Sequence, residues 1–556
     1  MLLFFLIDIF YLLCRMKTQI ESKVIDHLGL VSGMYDELRI GEQIDALLPQ
    51  NLNCREVSIG TLCKALVLNG LGFVERRLYM VSDFFSSKPI DVLLGEGIKS
   101  NQLNDSVLGR ALDDIYEYGT TKLFLNLVPS IHQALNLSTR FAHMDSTDFH
   151  VDGMYNSSGN PDADENVIRL VKGYSRDHRP DLNQVVLNLI ADNQAGIPLH
   201  MEVLSGNISD KSSFRRTIKE HINGLQNTTG FEYLVMDSAG YTQETISKYS
   251  SEVLWISRVP ETIKSCKEAI DTAVEFQKID DKYSFKVLES DYGGVKQRWL
   301  IIFSKEAYKR EIKTLQKNYF KNSTKEIHDF EKLCRVEFSC IDDLNKTISS
   351  FKKKCRYISI EDVEIQKIAK YNGKGRPIKG ALPDFYTYKL NGNVSCEIAK
   401  YRLKAQRKGK FILATNELNE KNLANEEILK GYKSQSKVER GFRFLKDPQF
   451  VARNFFVKKP ERVDALIFIM TLCLTVYAAL EYKLRQKLEE LDETIPNQVG
   501  KPIKNPTTRW VFAMFHGIHF IYGVQKNNPI CVNIKEVHLK ILKLMGPKYN
   551  KYYLRI

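Results

Sequence analysis

Tyr432, Gln435, Glu439 and Lys446 stand at offsets of 0, 3, 7 and 14 in the run Tyr432-Lys-Ser-Gln-Ser-Lys-Val-Glu-Arg-Gly-Phe-Arg-Phe-Leu-Lys446. At about 100° per residue a single helix would gather them within an arc of roughly 60°. A hydroxyl, an amide, a carboxylate able to bind a metal and an amine in one row would suit the grip of a phosphodiester beside a catalytic ion. An isolated helix with this face would sooner read as an ordinary solvated surface, so the rest of the chain has to decide.

Two-metal phosphoryl chemistry needs carboxylates from distant parts of the chain to converge on ions roughly 3.5–4 Å apart. Asp145 and Asp237 are the best partners for Glu439. Asp145 sits inside the strand-like run Phe141–Val151, where a buried carboxylate is costly unless paired or metal-bound. Asp237 closes the apolar run Tyr233-Leu-Val-Met236 and is followed by the small residues Ser238-Ala-Gly240, the strand end at which open α/β sheets place their sites. Asp148 is three residues from Asp145 and would face the other side of a regular strand. Asp192 falls in a turn, where aspartate is favoured for turn geometry alone. Asp152, Asp177 and Asp181 lie in polar loop sequence. His143 and His150 flank the first aspartate without a serine or cysteine motif beside them, and read as packing or supporting residues.

The elements that must position these groups follow a recognisable order. Residues 17–140 read as helices with short turns, among them Val57–Leu68, ended by Asn69-Gly70, and Asp105–Tyr118, ended by Gly119. Strands then follow at Phe141–Val151, Gln184–Ala191 and Ile197–Leu204, with a helix over Ser212–Asn223. A strand at Tyr233–Met236, a helix at Thr242–Tyr249 and a strand at Val253–Ser257 complete an α/β order with a mixed sheet. After Pro260 the chain is irregular and lysine-rich, with a β-like piece at Tyr283–Phe303 and a charged helix near Glu306–Cys334. A basic patch from Lys374 to Lys410 mixes Arg376, Lys379, Arg402, Arg407 and Lys408 with Phe385, Tyr386, Tyr388 and Tyr401, a composition that can bind backbone and stack on bases. Phe411–Thr415 reads as a last strand before the helix with the Tyr432–Lys446 row.

With 556 residues the chain exceeds one simple core. Its 80 Lys+Arg against 67 Asp+Glu give +13, and residues 261–410 hold 33 basic and 21 acidic side chains, so 33 − 21 = +12 comes from that segment. A positive field concentrated in this way suits a polyanion. The ten cysteines are scattered without zinc spacing and read as reduced thiols of a cytosolic protein. The apolar leader Met1–Cys14 lacks a basic n-region and is interrupted by Asp8, so residues 1–16 read as a non-native or disordered leader before Met16. The apolar run Ala465–Leu480 is shorter than the roughly 20 residues that span a bilayer and reads as a buried core helix.

Taken together, these blocks resemble the insertion-sequence DDE transposases of the cut-and-paste kind, marked by a Y-x2-R-x3-E-x6-K signature. His143-Met-Asp145-Ser-Thr-Asp-Phe-His-Val-Asp-Gly153 is similar to the first-Asp block, Leu234-Val-Met-Asp237-Ser-Ala-Gly240 to the second, and Tyr432–Lys446 to the Glu block. Met34-Tyr-Asp-Glu-Leu-Arg-Ile-Gly41 and Leu68-Asn-Gly-Leu-Gly-Phe73 resemble the N-terminal domain of one branch. The departure is Gln435, where the signature has arginine and its fixed charge.

The resemblance implies a ribonuclease H-like mixed sheet with helices, interrupted by a mixed β/α insertion, plus an all-α N-terminal domain. It implies boundaries of 17–140 for a helical domain that binds DNA ends, 141–259 and 411–490 for the catalytic domain, 260–410 for the basic insertion and 491–556 for a C-terminal helical segment. The spacing agrees: 237 − 145 = 92 residues separate the aspartates, and 439 − 237 = 202 residues is too long for a simple loop. It further implies that Asp145, Asp237 and Glu439 hold two Mg²⁺ ions, with Mn²⁺ as a substitute. Tyr432, Gln435, Arg440, Arg443 and Lys446 would contact DNA. The expected partners are double-stranded DNA, as transposon ends and target, and a second copy of the chain in a homodimer on DNA. Neither a membrane nor a small-molecule cofactor is expected, and the setting would be a prokaryotic cytoplasm, at the nucleoid. The rival readings are a host nuclease on the same fold that cuts without joining, and a catalytically silent DNA-binding regulator.

Overall fold

A computed structural model describes residues 20–50, 56–73, 78–151, 167–175, 178–373, 375–447, 457, 459–523 and 529–554. The expected leader 1–16 lies outside them, as do Asp152 and Asp177. The chain divides into two compact units. The first takes the chain up to Ser257, Asp291–Gln297 and everything from Thr415 on; the second takes Arg258–Ser290 and Arg298–Ala414. The helices expected to form a separate domain over 17–140 therefore share the first unit with the aspartate strands.

That unit is built around strands β1 (Phe141–Val151), β2 (Asn183–Asp192), β3 (Pro198–Ser205), β4 (Tyr233–Met236) and β5 (Leu254–Arg258), in the order β3-β2-β1-β4-β5. β1–β2 and β2–β3 pair antiparallel, whereas β1–β4 and β4–β5 pair parallel. The expected mixed sheet is present, and β1 and β4 match their sequence-based limits to the residue. β1 is buried on both faces except at Asp145 and His150, as a central strand covered on two sides must be. The β2–β3 turn is held by Asp192, whose carboxylate accepts the N–H groups of Gln194, Ala195 and Ile197 at 2.6–2.8 Å. This is the turn role expected of that aspartate.

The helices that bear on the site are α1 (Asn425–Lys433), α2 (Ser436–Leu445) and α3 (Pro460–Glu490). α3 is the hub of the core. It packs against helices Leu28–Glu37, Ile59–Leu71 and Asp105–Tyr118, against β3 and against α2. By length and composition it could cross a membrane, but 94% of its most apolar window is buried within the protein. Its polar ends fix its neighbours: Arg462 forks onto Asp113 with both distances 2.7 Å, and Lys483 reaches Glu37.

Several expectations need correction. The helix expected to stop at Asn69-Gly70 continues through both and ends at Leu71, because Asn69, Gly70 and Leu71 are all buried against the core. The N-terminal region is not all-α: Glu21–Val24 pairs antiparallel with His519–Tyr522, which in turn pairs with Ile530–Val532, so the C-terminal segment is not all-helical either. The second unit has more regular structure than its sequence suggests. It holds the long helix Lys305–Arg335, a further helix Ile341–Lys354 and a hairpin of β6 (Ile358–Lys370) with β7 (Phe385–Cys396). Phe330, Leu344, Ile348 and Leu390 form its small core.

Candidate active site

The two aspartates follow one strand register. β1 and β4 run parallel with Phe141 opposite Tyr233 and Met144 opposite Met236. The next residues are Asp145, inside β1, and Asp237, just past the end of β4. Each is half-buried. Each carboxylate is oriented by a backbone donor, Ser146 N–H to Asp145 Oδ1 and Ala239 N–H to Asp237 Oδ1, both at 2.8 Å. The turn after β4 is itself fixed, because Ser257 Oγ on β5 donates to the Asp237 carbonyl at 2.9 Å. Gly240 is small for a reason: a Cβ there would sit 3.0 Å from the Met236 side chain.

The row of four does not lie on one helix. Tyr432 belongs to α1, Glu439 to α2, and Gln435 and Lys446 are the two caps of α2. The helices meet at Ser434-Gln435, where both residues keep helical dihedrals but the hydrogen bonds tighten. Ser434 N–H reaches Gly431 O, Gln435 N–H reaches Tyr432 O and Lys437 N–H reaches Ser434 O. Such i→i−3 bonding turns the chain by about 120° per residue rather than 100°, so the arithmetic of a single face fails. Gln435 is also only 8% exposed, whereas Glu439, Arg440 and Arg443 are exposed and Tyr432 is half-buried.

What the joint provides is anchorage. His143, one pleat before Asp145 on the same face, holds Ser434 Oγ at 2.8 Å through Nε2. Burial, with a smaller effect from Lys437, pushes the His143 imidazole down to about 3, so it is neutral and suited to this contact rather than to proton transfer. Lys437 caps the Asn193 and Gln194 carbonyls of the β2–β3 turn at 2.7 and 2.5 Å. At the other end of α2, Lys446 Nζ lies 3.4 Å from Asp148 Oδ1. Asp148 is buried on the face of β1 opposite Asp145, as expected, and His150 Nε2 is 3.3 Å from its other oxygen. α2 therefore meets residues of β1 near each of its ends, with Glu439 between the two contacts.

Asp145, Asp237 and Glu439 do not bring three ligand atoms within 4.8 Å of one another. Among the described residues, Glu202, Glu220 and His221 bring ligand atoms within 4.8 Å of one another, a cluster the sequence reading missed. Its carboxylates already have a cation: Arg216 lies 2.9 Å from Glu202 and 3.3 Å from Glu220. Thr217 Oγ1 adds a contact to Glu202 at 3.3 Å. Nearby, burial pushes the Asp464 carboxyl up to about 7, while Thr120 Oγ1 donates to it at 2.7 Å. Asp181, one of the loop acids, is held by Arg179 on the surface at 2.8 Å.

In the second unit the basic–aromatic patch divides. Arg407 forks onto Asp271 with both distances 2.6 Å, Lys408 lies 3.6 Å from Glu311, Tyr401 packs edge-on to Tyr319 and Tyr388 joins the small core. Arg376, Lys379, Phe385 and Tyr386 remain exposed.

Comparison with known proteins adds an independent line. A family model described as a transposase DDE domain matches residues 138–476, and a second, described as a domain of unknown function, matches residues 20–129. No curated protein matches the chain. Among solved structures, a cryo-EM structure of a piggyBac transposase synaptic complex with hairpin DNA aligns over 89% of this chain and 82% of that one. At 7% identity and a TM-score of 0.38, that likeness is too loose to bear on function.

Proposed function

The chain belongs to the transposase DDE-domain family, and from that premise we propose that it is the transposase of an insertion sequence, binding terminal inverted repeats and catalysing metal-dependent DNA cleavage and strand transfer on a ribonuclease H-like core. One observation supports the reading: the parallel pairing of Met144 with Met236 is followed on the two chains by Asp145 and Asp237, and the helix with Glu439 meets β1 residues near both of its ends.

The donor set fits a hard divalent cation, since carboxylate oxygens suit Mg²⁺. Asp145, Asp237 and Glu439 would hold two such ions. When bound, they would supply Lewis-acid stabilisation of the attacking and leaving oxygens of the phosphodiester. The chain's own residues do the positioning. Ser146 and Ala239 N–H groups fix the two aspartates, and His143 and Lys437 hold α2 in place. The exposed guanidinium groups of Arg440 and Arg443 meet DNA phosphates, with Tyr432 and Lys446 beside them. Gln435 acts on the joint from within rather than on the phosphate. No nucleophilic side chain is required, because water or a DNA 3′-hydroxyl attacks. A homodimer bridging two ends, at work on the nucleoid, belongs to the same proposal.

The test is a strand-transfer assay with cognate ends and Mg²⁺ or Mn²⁺. Cleaved and joined products that vanish in Asp145→Asn, Asp237→Asn and Glu439→Gln are expected. Cleavage without joining would instead identify a nuclease, and an unchanged biological effect in these variants would identify a regulator.

A further inference from the structure

The β6–β7 hairpin of the second unit ends in a tip, described over residues 371–373 and 375–384, whose order and chemistry are specific. Asp384 N–H bonds the Lys370 carbonyl at 3.0 Å, and the Asp384 carboxylate accepts the Asn372 N–H at 2.7 Å. Ala381 N–H closes a turn onto Ile378 O at 3.0 Å, with Gly380 in the left-handed region at φ +97°, where glycine is the residue that fits. The turn is therefore built, yet it buries nothing. Ile378 is 85% exposed and Leu382 89% exposed, two branched aliphatic side chains facing water on the same turn.

Charge surrounds them. From Lys367 to Lys389 there are six basic residues and one acidic, Asp384, and that acid is engaged with the Asn372 backbone. Arg376 and Lys379 are exposed and form no ion pair among the described residues. Arg376 follows Gly375, itself at φ +114°, and precedes Pro377. A slender, cationic, side-chain-poor Gly-Arg-Pro segment next to solvent-facing aliphatics matches what the minor groove selects. Its narrow A·T-rich form attracts arginine, and apolar Ile, Leu or Pro side chains wedge between base steps there.

We propose that this tip is a minor-groove reader: Arg376 enters the minor groove of A·T-rich DNA, and Ile378 and Leu382 lean on the base steps beside it and bend the duplex. The assignment rests on the DNA-processing reading above and adds a groove, a base composition and the residues that sense them.

The experiment uses the full chain, 20-base-pair duplexes at fixed salt and fluorescence anisotropy. Three duplexes are compared: A-tract, G·C, and inosine·C, which lacks the guanine N2 amino group that marks G·C in the minor groove. The A-tract and inosine·C duplexes should bind about tenfold tighter than G·C. Arg376→Ala should bring the three within about twofold and lower the salt slope by about one. Ile378→Ser with Leu382→Ser should reduce the bend read by energy transfer between duplex ends, while thermal unfolding stays unchanged. Equal affinity for inosine·C and G·C, or a preference that survives Arg376→Ala, would overturn the proposal. The two readings fail separately: groove preference without metal-dependent cutting sinks the transposase assignment alone, and cutting and joining without groove preference sinks this one alone.

Discussion

Two groups of carboxylates in the first unit make an instructive pair. Glu202 and Glu220 are close enough to bracket an ion with His221, but Arg216 already lies between them. Asp145 and Asp237 follow paired strand positions and are steered by backbone N–H groups, and Glu439 is exposed on a helix that meets β1 residues near both of its ends. The first pair has an arginine within ion-pair distance of both acids, whereas backbone N–H groups orient the second pair. Closeness alone is the poorer guide to function.

The sharpest way to break this distinction is to neutralise one of the aimed acids. Asp145→Asn or Asp237→Asn should lower Mg²⁺-dependent strand transfer by about 10³-fold or more, with an unfolding midpoint within a few degrees of the parent. Asp464 should show the opposite signature. Burial keeps it protonated up to about pH 7 in the folded protein, whereas an unfolded aspartate ionises near 4. Between those values the folded state holds the extra proton, so this contribution is complete at about pH 4 and lost as pH rises through about 7. Asp464→Asn should therefore match the parent near pH 4 and exceed it at pH 8 by at most about 4 kcal/mol, measured by urea unfolding.

Lys446 sits on the border between the two groups. Lys446→Ala strands the buried Asp148 and should cost about 1–3 kcal/mol as well as affinity for the DNA end. Adding Asp148→Asn should restore stability while affinity stays low; recovery of both would make Lys446 structural only. Gln435→Arg, which restores the signature residue, should destabilise by about 1–3 kcal/mol because the position is buried. A tighter grip without that cost would show that the joint can open. The smallest effect belongs to Glu202→Gln, which should leave strand transfer within about threefold. A loss as large as that of Asp145→Asn would erase the distinction.

The aspartate half of the site was readable from residues alone. β1 and β4 are uninterrupted strand patterns, with one acid inside the first and the other just past the end of the second, where small residues follow. The glutamate half was misread as one helix, because Ser434 and Gln435 keep helical dihedrals and only a shift to i→i−3 bonding marks the joint. Propensity does not register that shift, and the His143–Ser434 contact joins residues 291 apart. Asn69-Gly70 looked like a stop because both residues favour turns, yet tertiary burial overrode them. The β6–β7 hairpin was missed because most of its side chains are partly or fully exposed, and few apolar positions reach the small core.

α3 has a consequence for how the protein comes into being. The helix Ile59–Leu71 finds its packing partner in Pro460–Glu490, and Tyr553 near the chain's end donates to the Asp26 carbonyl near its start. On a ribosome adding 5–20 residues per second, the early helices wait roughly 20 to 80 s for the segment that covers them. The core of the first unit is thus incomplete until α3 has been made. Premature termination anywhere before α3 yields exposed apolar helices for proteases to clear rather than a partial protein loose on DNA.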